Sequence, residues 1–600
     1  MRTALQKDHD MKRTTACFLA ALAALAAAAQ AADIFVAPEG RGEMTGADWS
    51  NARKGTLDGY SGVRAAIVAA VADGATEVNV YFAGGSYAIS NQMSLSSISV
   101  PVKLSGGYLA ETDGSLAKGE TATTFARSTY NIRFIAATSL SALRIEGITF
   151  SGGYVSGSGT KNSHTAIGAK GGAVAAVSSV TTISNCVFRN NAIQLTAKDP
   201  ASAYASFLGG GGAVAATISG SLDLEDCTFE NNHHASGGTY NQTCGGAVLG
   251  YQVNVTVRGC AFRNNYMDGA DGRNTLFGAA IGTYYGNVSI SNCTFSGNYI
   301  KGALYTTGGS SGGALAIRDA KTVHMCDSTF SGNYVANTAS LNPEFTAGIV
   351  LLDDWNAADG IMTSCVERCV FDSRNVPASY VKSSKANSNL YTQGDILVCG
   401  GRLFMTNNVI FAARGGGTYS GYSVRSMNSS STSKSYRGYV HSNWTSAPCS
   451  LELVNCTIAN GKTYGAAALG TGALSLLNCI SYGHSVSGVV NAASVEYSCI
   501  QEAHEGAGNF VADPHWTGAP YYHLLTKRAG GAITDGWFGG TYNSLKTEKN
   551  SPCLDAGAPD KARAALEPRP NGRRVNLGAY GGTPWASKTL SPPATMLFAY

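Results

Sequence analysis

The chain has 600 residues, including 73 glycines and 29 tyrosines; 14% are charged, and the formal net charge is +4. That charge is small for the length and there is no long basic run, which argues against nucleic-acid binding. Length alone suggests several domains, but an internal repeat removes that expectation.

Residues 1–31 read as an export signal, not as fold. Lys12-Arg13 precedes an apolar run from Cys17 to Ala29, and Ala29-Gln30-Ala31 is an A-x-A cleavage site. Met11 is an alternative start, because residues 7–10 dilute the charged region. Cys17 opens the apolar run, whereas a lipid-bearing cysteine would follow it. No later stretch is long and apolar enough to span a membrane. The mature chain is expected to be exported.

Residues 32–90 read as an N-terminal cap with the first strands. Residues 33–36 form a short strand, and residues 63–73 form an amphipathic helix of Ala, Ile and Val ended by Gly74. Such a helix would cover the open end of a solenoid, whose bare strand edges otherwise invite aggregation. A first coil begins at residues 78–82.

From there to about residue 500 a phrase recurs: Gly-Gly-Ala-aliphatic, then Cys-x-Phe-x-x-Asn. Gly171-Gly172-Ala173 leads to Cys186, Phe188 and Asn191, and Gly211-Gly212-Ala213 to Cys227, Phe229 and Asn232. Gly245-Gly246-Ala247 gives Cys260, Phe262 and Asn265, Gly278-Ala279-Ala280 gives Cys293, Phe295 and Asn298, and Gly312-Gly313-Ala314 gives Phe330 and Asn333. The five phenylalanines lie 33 to 41 residues apart, a period that means stacked units.

Before each phenylalanine the apolar residues alternate and slip phase once. Val255 and Val257 share a face, Arg258-Gly259 intervene, and Cys260 and Phe262 resume it. Period-two alternation means strand. The slip predicts a two-residue corner whose second residue (Gly147, Asn185, Asp226, Gly259, Asn292, Asn455 or Asn478) takes a left-handed backbone. Two short strands and such a bend, once per unit, predict the coil of a parallel β-helix, about a dozen coils between residues 78 and 500, with residues 91–500 as the body of the β-helix. The cysteines at 186, 227, 260, 293, 369, 456 and 479 fall in one inward slot. A buried thiol stack and vertical disulfides both fit that slot.

Long loops leave from one place in the unit, between Phe-x-x-Asn and the next Gly-Gly: 194–208, 233–243, 267–276 and 301–311. Stacked in register they should form one ridge, and loops on a rigid scaffold are where function concentrates. His233-His234 reads as a solvated loop pair. Tyr266, Tyr299 and Tyr334 follow the ladder asparagines and predict an aromatic row at the root of the ridge, as a register device or as a sugar track.

Asp353-Asp354, with Asp359, is the best local carboxylate group for glycoside hydrolysis, which needs two carboxylates a fixed distance apart. Neighbours in a strand point to opposite faces, so the bland reading is a solvated strand end. The insert 412–449 contains Arg414, Arg425, Lys434 and Arg437 with no acid. Tyr419, Tyr422, Tyr436, Tyr439, His441 and Trp444 are interleaved with them. Basic and aromatic groups suit an anionic sugar chain. A lyase would neutralise the uronate carboxylate with Ca²⁺ or Arg and draw its base from residues such as Tyr439, His441 or Arg437. The bland reading is a flexible surface loop. No metal site is supported, and Ca²⁺ is expected only for a lyase.

Residues 501–600 carry most of the prolines, lose the repeat and read as an irregular C-terminal cap and tail.

The Gly-Gly-Ala and Phe-x-x-Asn phrases resemble the repeats of chlamydial polymorphic outer-membrane proteins, β-helical autotransporter passengers implicated in adhesion. The ends are similar to exported bacterial right-handed β-helix proteins of the choice-of-anchor Q type, in the pectin-lyase-like superfamily. The pieces are Ile34-Phe35-Val36-Ala37 with Trp49-Ser50-Asn51-Ala52, Tyr497-Ser498-Cys499-Ile500-Gln501 and Gly508-Asn509-Phe510-Val511-Ala512-Asp513-Pro514. Ser551-Pro552-Cys553-Leu554-Asp555-Ala556-Gly557 and Asn576-Leu577-Gly578-Ala579-Tyr580-Gly581-Gly582 complete the set. The resemblance implies an all-β, right-handed parallel β-helix that is secreted or held at the surface or outer membrane of a bacterium. It implies no reaction. The polygalacturonase pattern of Asn-x-Asp, Asp-Asp, Gly-His-Gly and Arg-x-Lys is not assembled: Asp-Asp stands alone, and Gly483-His484 precedes Ser485.

The sequence therefore predicts a non-catalytic exported β-helix that presents a loop ridge to polysaccharide or to another surface protein. The alternative is a lyase or glycosidase acting on an acidic polysaccharide.

Overall fold

A computed structural model describes residues 30–588 apart from 60–61, 112, 114, 158–167, 197–206, 237–241, 270–274, 303–310, 338–345, 355–360, 376–392, 413–421, 429–448, 462, 471, 528–532, 535–540 and 543–546. One coil shows the plan of the rest. After Gly245-Gly246-Ala247 come strands Val248–Tyr251 and Asn254–Arg258, both in a 25-stranded sheet. A corner at Gly259 leads to Ala261–Arg263 in a 13-stranded sheet. A second corner at Asn264 leads to Tyr266–Gly269 in a six-stranded sheet. Thr275–Phe277, in a three-stranded sheet, returns the chain to Gly278-Ala279-Ala280, which opens the next coil. Each strand pairs in parallel with its counterpart one coil on, for instance Phe229 with Phe262 and Phe262 with Phe295. The 13 strands of the second sheet, at about 4.8 Å each, make a rod roughly 60 Å long. This is a parallel β-helix.

The corner rule has a direct physical basis. Asn185, Asp226, Asn292, Asn455 and Asn478 have φ of 50 to 56°, and Gly147 and Gly259 have φ of 67° and 63°. The glycine pair serves two needs. Gly245 has a φ of 77°, and a Cβ on Gly212 would lie 2.2 Å from the Gly246 carbonyl oxygen. One glycine supplies the left-handed turn, and the other lets adjacent coils approach.

Inside, Phe150, Phe188, Phe229, Phe262, Phe295, Phe330 and Phe371 stack with centroids 4.7–4.9 Å apart and rings within 9° of parallel. Beside them runs the asparagine ladder. The Asn232 backbone and side-chain amides donate to Asn265 Oδ1 at 3.0 Å each, and the Asn265 side chain donates to the Phe229 carbonyl at 2.9 Å. Asn191, Asn298 and Asn333 continue the same pattern. A corner strips a backbone amide of its sheet partner, and the next coil's side chain supplies an acceptor.

The cysteine slot obeys the same logic. The Cys227 amide donates to Cys260 Sγ (3.4 Å), the Cys293 amide to Ser328 Oγ (3.1 Å) and the Cys369 amide to Asn408 Oδ1 (2.9 Å). Cys, Ser and Asn all occupy this slot because each is small and accepts a hydrogen bond.

The strands Val248–Tyr251, Ile281–Tyr284 and Leu315–Arg318, which open successive coils, are buried on both faces. A second, smaller core lies outside them, with Leu249, Tyr251, Phe277, Tyr284, Leu351 and Leu397. This layer is why those segments read as continuous apolar runs.

At the N-terminal end, helix Val63–Ala72 buries Val63 and Ile67 against the first strands. Strand Ala31–Ala37 pairs with Glu77–Ala83 and belongs to the large sheet itself. At the C-terminal end, residues 516–524 and 577–580 fold back over the outer face of the 13-stranded sheet, where Val370, Phe411 and Ala459 meet Tyr522, Ala579 and Tyr580. The last strand of the large sheet on that side is closed by a side chain. The Glu502 carboxylate accepts the Gly488 and Val489 amides and the Ser487 hydroxyl, each at 2.9 Å.

Candidate functional site

The residues before the ridge loops are not loop. Ala192–Leu195, His233–Ser236, Tyr266–Gly269, Tyr299–Gly302 and Tyr334–Asn337 are strands of the six-stranded sheet, and the loops begin only after them. Four residues between a corner and a loop carry too short an alternation to be read alone. The strand exists because the same segment recurs in the neighbouring coils. Residues 197–206, 237–241, 270–274 and 303–310, the central parts of the predicted ridge, lie outside the described residues.

The sheet turns its first side chains outward as one column. His233, Tyr266, Tyr299 and Tyr334 stack at 4.7, 5.1 and 5.3 Å, within 8° of parallel. All four are half-buried. The Lys301 ammonium lies 3.1 Å from Asp268, which holds its pKa above the ordinary lysine range, and 5.5 Å over the Tyr266 ring. At the N-terminal end Tyr154 starts the same column, and its hydroxyl donates to Gln194 at 2.5 Å. Tyr130, 72% exposed, leans on Tyr154 at 5.3 Å, with the Arg127 guanidinium 5.2 Å over the Tyr154 ring. Because the rings lie face to face, their faces are largely covered by one another. A ligand along the column would meet ring edges, together with Gln194, Asp268 and Lys301.

The histidine pair departs from expectation. His233 and His234 sit in a strand, so period two sends His233 into the aromatic column and His234 inward. His234 is wholly buried, and neither ring nitrogen has a hydrogen-bond partner among the described residues. Burial, helped by His233, drives its pKa down to about 3.

Asp353 and Asp354 are not a solvated strand end either; they are 4% and 2% exposed. Arg318 Nε donates to Asp353 at 2.7 Å, Arg318 Nη1 donates to the Tyr284 hydroxyl at 2.8 Å, and the guanidinium lies 4.5 Å over Phe277. Asp353 thus anchors the outer core. Asp354 accepts the Met362 amide at 2.9 Å and closes a turn. Burial pushes both carboxyl groups up. Asp359 lies outside the described residues.

The insert 412–449 is not one loop. Strand Tyr422–Asn428 interrupts it and pairs with Gln393–Cys399 and Tyr464–Gly470, which places the backbone of Tyr422 and Arg425 in the large sheet. Arg414, Tyr419, Lys434, Tyr436, Arg437, Tyr439, His441 and Trp444 lie outside the described residues.

Two polar groups were missed from sequence. Where the asparagine ladder ends, Arg374 Nε and Nη2 grip Asp372 at 3.0 and 2.9 Å. Next to them the Ser373 hydroxyl donates to Asp395 at 2.7 Å, and burial, with Asp372 adding, pushes the Asp395 carboxyl up to about 7. Asp372 and Asp395 are 23 residues apart in the chain, so no local motif announces the pair. The second group is Ser481 with His484, which are 3.1 Å apart and buried. His484 Nδ1 accepts the Gly461 amide at 3.0 Å, so the ring proton is on Nε2 and is donated to Ser481 Oγ, whose own proton goes to the Gly488 carbonyl at 2.8 Å. A nucleophile–base pair needs the opposite polarity. His484 instead takes a corner amide as the ladder asparagines do.

Among the described residues no group of three or more His, Cys, Asp or Glu side chains could hold a metal ion, and no helix is long and apolar enough to cross a membrane.

A family model described as the right-handed β-helix region matches residues 130–318. With the parallel coils this makes the chain an all-β, right-handed solenoid. No curated protein matches it. Among solved structures the chain is similar to the crystal structure of bacteriophage CBA120 tailspike protein 3, at 13% identity, covering 87% of this chain and 69% of that one, with a TM-score of 0.37.

Proposed function

We propose that this is an exported or cell-surface β-helix protein that binds polysaccharide, or the glycans of a surface partner, along the outer face of the six-stranded sheet and the segments that follow its strands. The observation that carries the reading is the in-register column of His233, Tyr266, Tyr299 and Tyr334. Equivalent polar edges repeated at a fixed step of about 5 Å suit a ligand that is itself a chain of repeating hydroxylated units. Export rests on Lys12-Arg13, the apolar run and Ala29-Gln30-Ala31. The basic and aromatic residues of the insert, Arg414 to Trp444, would add contacts to an anionic chain.

A second reading, an enzyme on an acidic polysaccharide, is favoured by one observation. Asp395 is poised near neutrality beside an Arg-held Asp372, and catalytic carboxylate pairs have such divided environments. Ca²⁺ would belong only to a lyase version of this reading.

The test is a binding screen of residues 32–600 against neutral and acidic polysaccharides: xylan, polygalacturonate, alginate and chondroitin sulfate. Reducing ends and unsaturated-uronate absorbance are read on the same samples. Binding that weakens at least tenfold in Tyr266→Ala and Tyr299→Ala, without product, supports the primary reading. Binding unchanged in both variants removes this face from it. Product formation lost in Asp395→Asn establishes the enzyme.

A further inference from the structure

Two groups of the cysteines after residue 31 stand in different settings. Most of the corner cysteines stand side by side in neighbouring coils and point the same way. Their Cβ atoms follow the coil spacing of about 4.8 Å, more than the roughly 3.5–4.5 Å that a disulfide spans. Their thiols are also engaged. Cys186, Cys227, Cys260 and Cys293 donate to carbonyls two residues back at 3.1–3.3 Å. Cys186 and Cys260 accept the amide of the preceding coil at 3.5 and 3.4 Å. Oxidation would remove that donor and shift every corner.

Cys499 and Cys553 are different. Cys499 lies in the last strand of the 13-stranded sheet, paired with Ile480, and its side chain faces outward into a cluster of Ile480, Leu524 and Leu577. Cys553 enters the same cluster from the C-terminal cap, where its carbonyl accepts the Leu577 amide at 2.9 Å. Both are fully buried within that one small cluster. They meet across an interface instead of standing in register. The one hydrogen bond that Cys499 would give up is its donation to the Ala512 carbonyl at 3.2 Å.

We propose that Cys499 and Cys553 form a disulfide that fastens the C-terminal cap to the last coil, while the corner cysteines remain thiols. The oxidant is a small disulfide such as glutathione disulfide. One cysteine thiolate attacks it, a mixed disulfide forms, and one glutathione thiolate leaves. The second cysteine thiolate then attacks the protein sulfur of that mixed disulfide and expels the second glutathione thiolate. Two protons pass from the cysteines to the two glutathione thiolates, and two electrons reduce the glutathione disulfide. Because both sulfurs are buried, the exchange proceeds before the cap docks or when it lifts. The proposal does not depend on where the protein resides.

The test uses residues 32–600 unfolded in urea, refolded in a mixture of reduced and oxidised glutathione, alkylated in denaturant and digested without reduction. Cleavage after acidic residues isolates residues 497–502, which contain Cys499 alone. The expected result is one cross-linked pair joining that peptide to the one containing Cys553, lighter by two hydrogens, with the other twelve cysteines alkylated. Reduction, or Cys553→Ser, should then speed amide exchange in residues 505–512 and 551–557 at least tenfold. Alkylation of both Cys499 and Cys553 in the refolded chain, or a cross-link between corner cysteines, overturns the proposal. The peptide map of the unaltered chain decides it even where Cys553→Ser fails to fold.

Discussion

The side-chain amide of Asn265 donates to Asn298 Oδ1 at 3.0 Å one coil away, while its own Oδ1 serves both amides of Asn232. Asn265 is thus a joint between three coils. Asn265→Ala leaves the Asn232 amide and the Phe229 carbonyl without these partners in the interior. At about 1–3 kcal/mol per buried group, the coils around it should lose several kcal/mol. Neighbouring Asn264, at φ 54° on the exposed corner, is a fitting control, because Asn264→Gly keeps the backbone it needs. Hydrogen exchange should show opening between residues 228 and 300 in the first variant and little change in the second. Equal effects would assign the cost to the corner and not to the ladder.

Glu502 protects the end of the large sheet. Burial works against its charge, but the Gly488 and Val489 amides, His504 and Ser487 together hold its carboxyl below the ordinary range. A folded pKa below the unfolded one gives stability that is present above the unfolded pKa and lost as pH falls through the folded one. Glu502→Gln should therefore cost about 2 kcal/mol at pH 7, in line with loss of charge-assisted bonds. The deficit should vanish in acid. Because a bare edge pairs with other chains, light scattering should show end-to-end association in the variant at pH 7. A deficit that persists unchanged at pH 3 would place the damage elsewhere.

What was legible in the sequence is what repeats within a few residues. Phe229, Phe262 and Phe295 alternate with outward residues, and the corner at Asp226 or Asn292 interrupts that alternation, so strand, bend and stack could all be read. The helix at 63–72 showed as an apolar face ended by glycine. What stayed hidden depends on distant partners. Tyr266–Gly269 contains Asp268 and a glycine and is a strand only because Tyr299–Gly302 lies beside it. Asp353 looked like a solvated end because Arg318 is 35 residues away, and the layer covering both comes from the segments between coils. Asp372 and Asp395, 23 residues apart in the chain, stayed hidden for the same reason.

Asp395 carries the opposite pH signature to Glu502. Burial raises its folded pKa to about 7. A carboxyl raised above its unfolded value contributes stability that is fully present below the unfolded pKa and lost as pH rises through the folded one. Between about pH 4 and pH 7 the native chain should thus lose stability through this group. Asp395→Asn keeps an acceptor for the Ser373 hydroxyl and carries no charge. It should match the parent at pH 4 and exceed it at pH 8, as read from unfolding midpoints. Identical pH profiles would show that the parent carboxyl ionises freely in the native state.

His234 gives the clearest case of a polar residue in an apolar slot. Its register partners one coil away are Ile193 and Met267, both fully buried, and neither of its ring nitrogens is hydrogen-bonded among the described residues. An unpartnered buried polar group costs about 1–3 kcal/mol. His234→Met, which repeats the next coil's residue, should therefore raise stability by about that amount at pH 7. With its folded pKa lowered to about 3, the imidazole stays neutral in the native chain while the unfolded chain takes up a proton. Stability from this group is present above the unfolded pKa, about 6.5, and drains away as pH falls towards the folded one. The advantage of His234→Met should widen from pH 8 to pH 5. Should His234→Met instead destabilise the chain and blunt polysaccharide binding, the ring nitrogens must serve a ligand, and the sheet beneath the aromatic column would belong to the binding site.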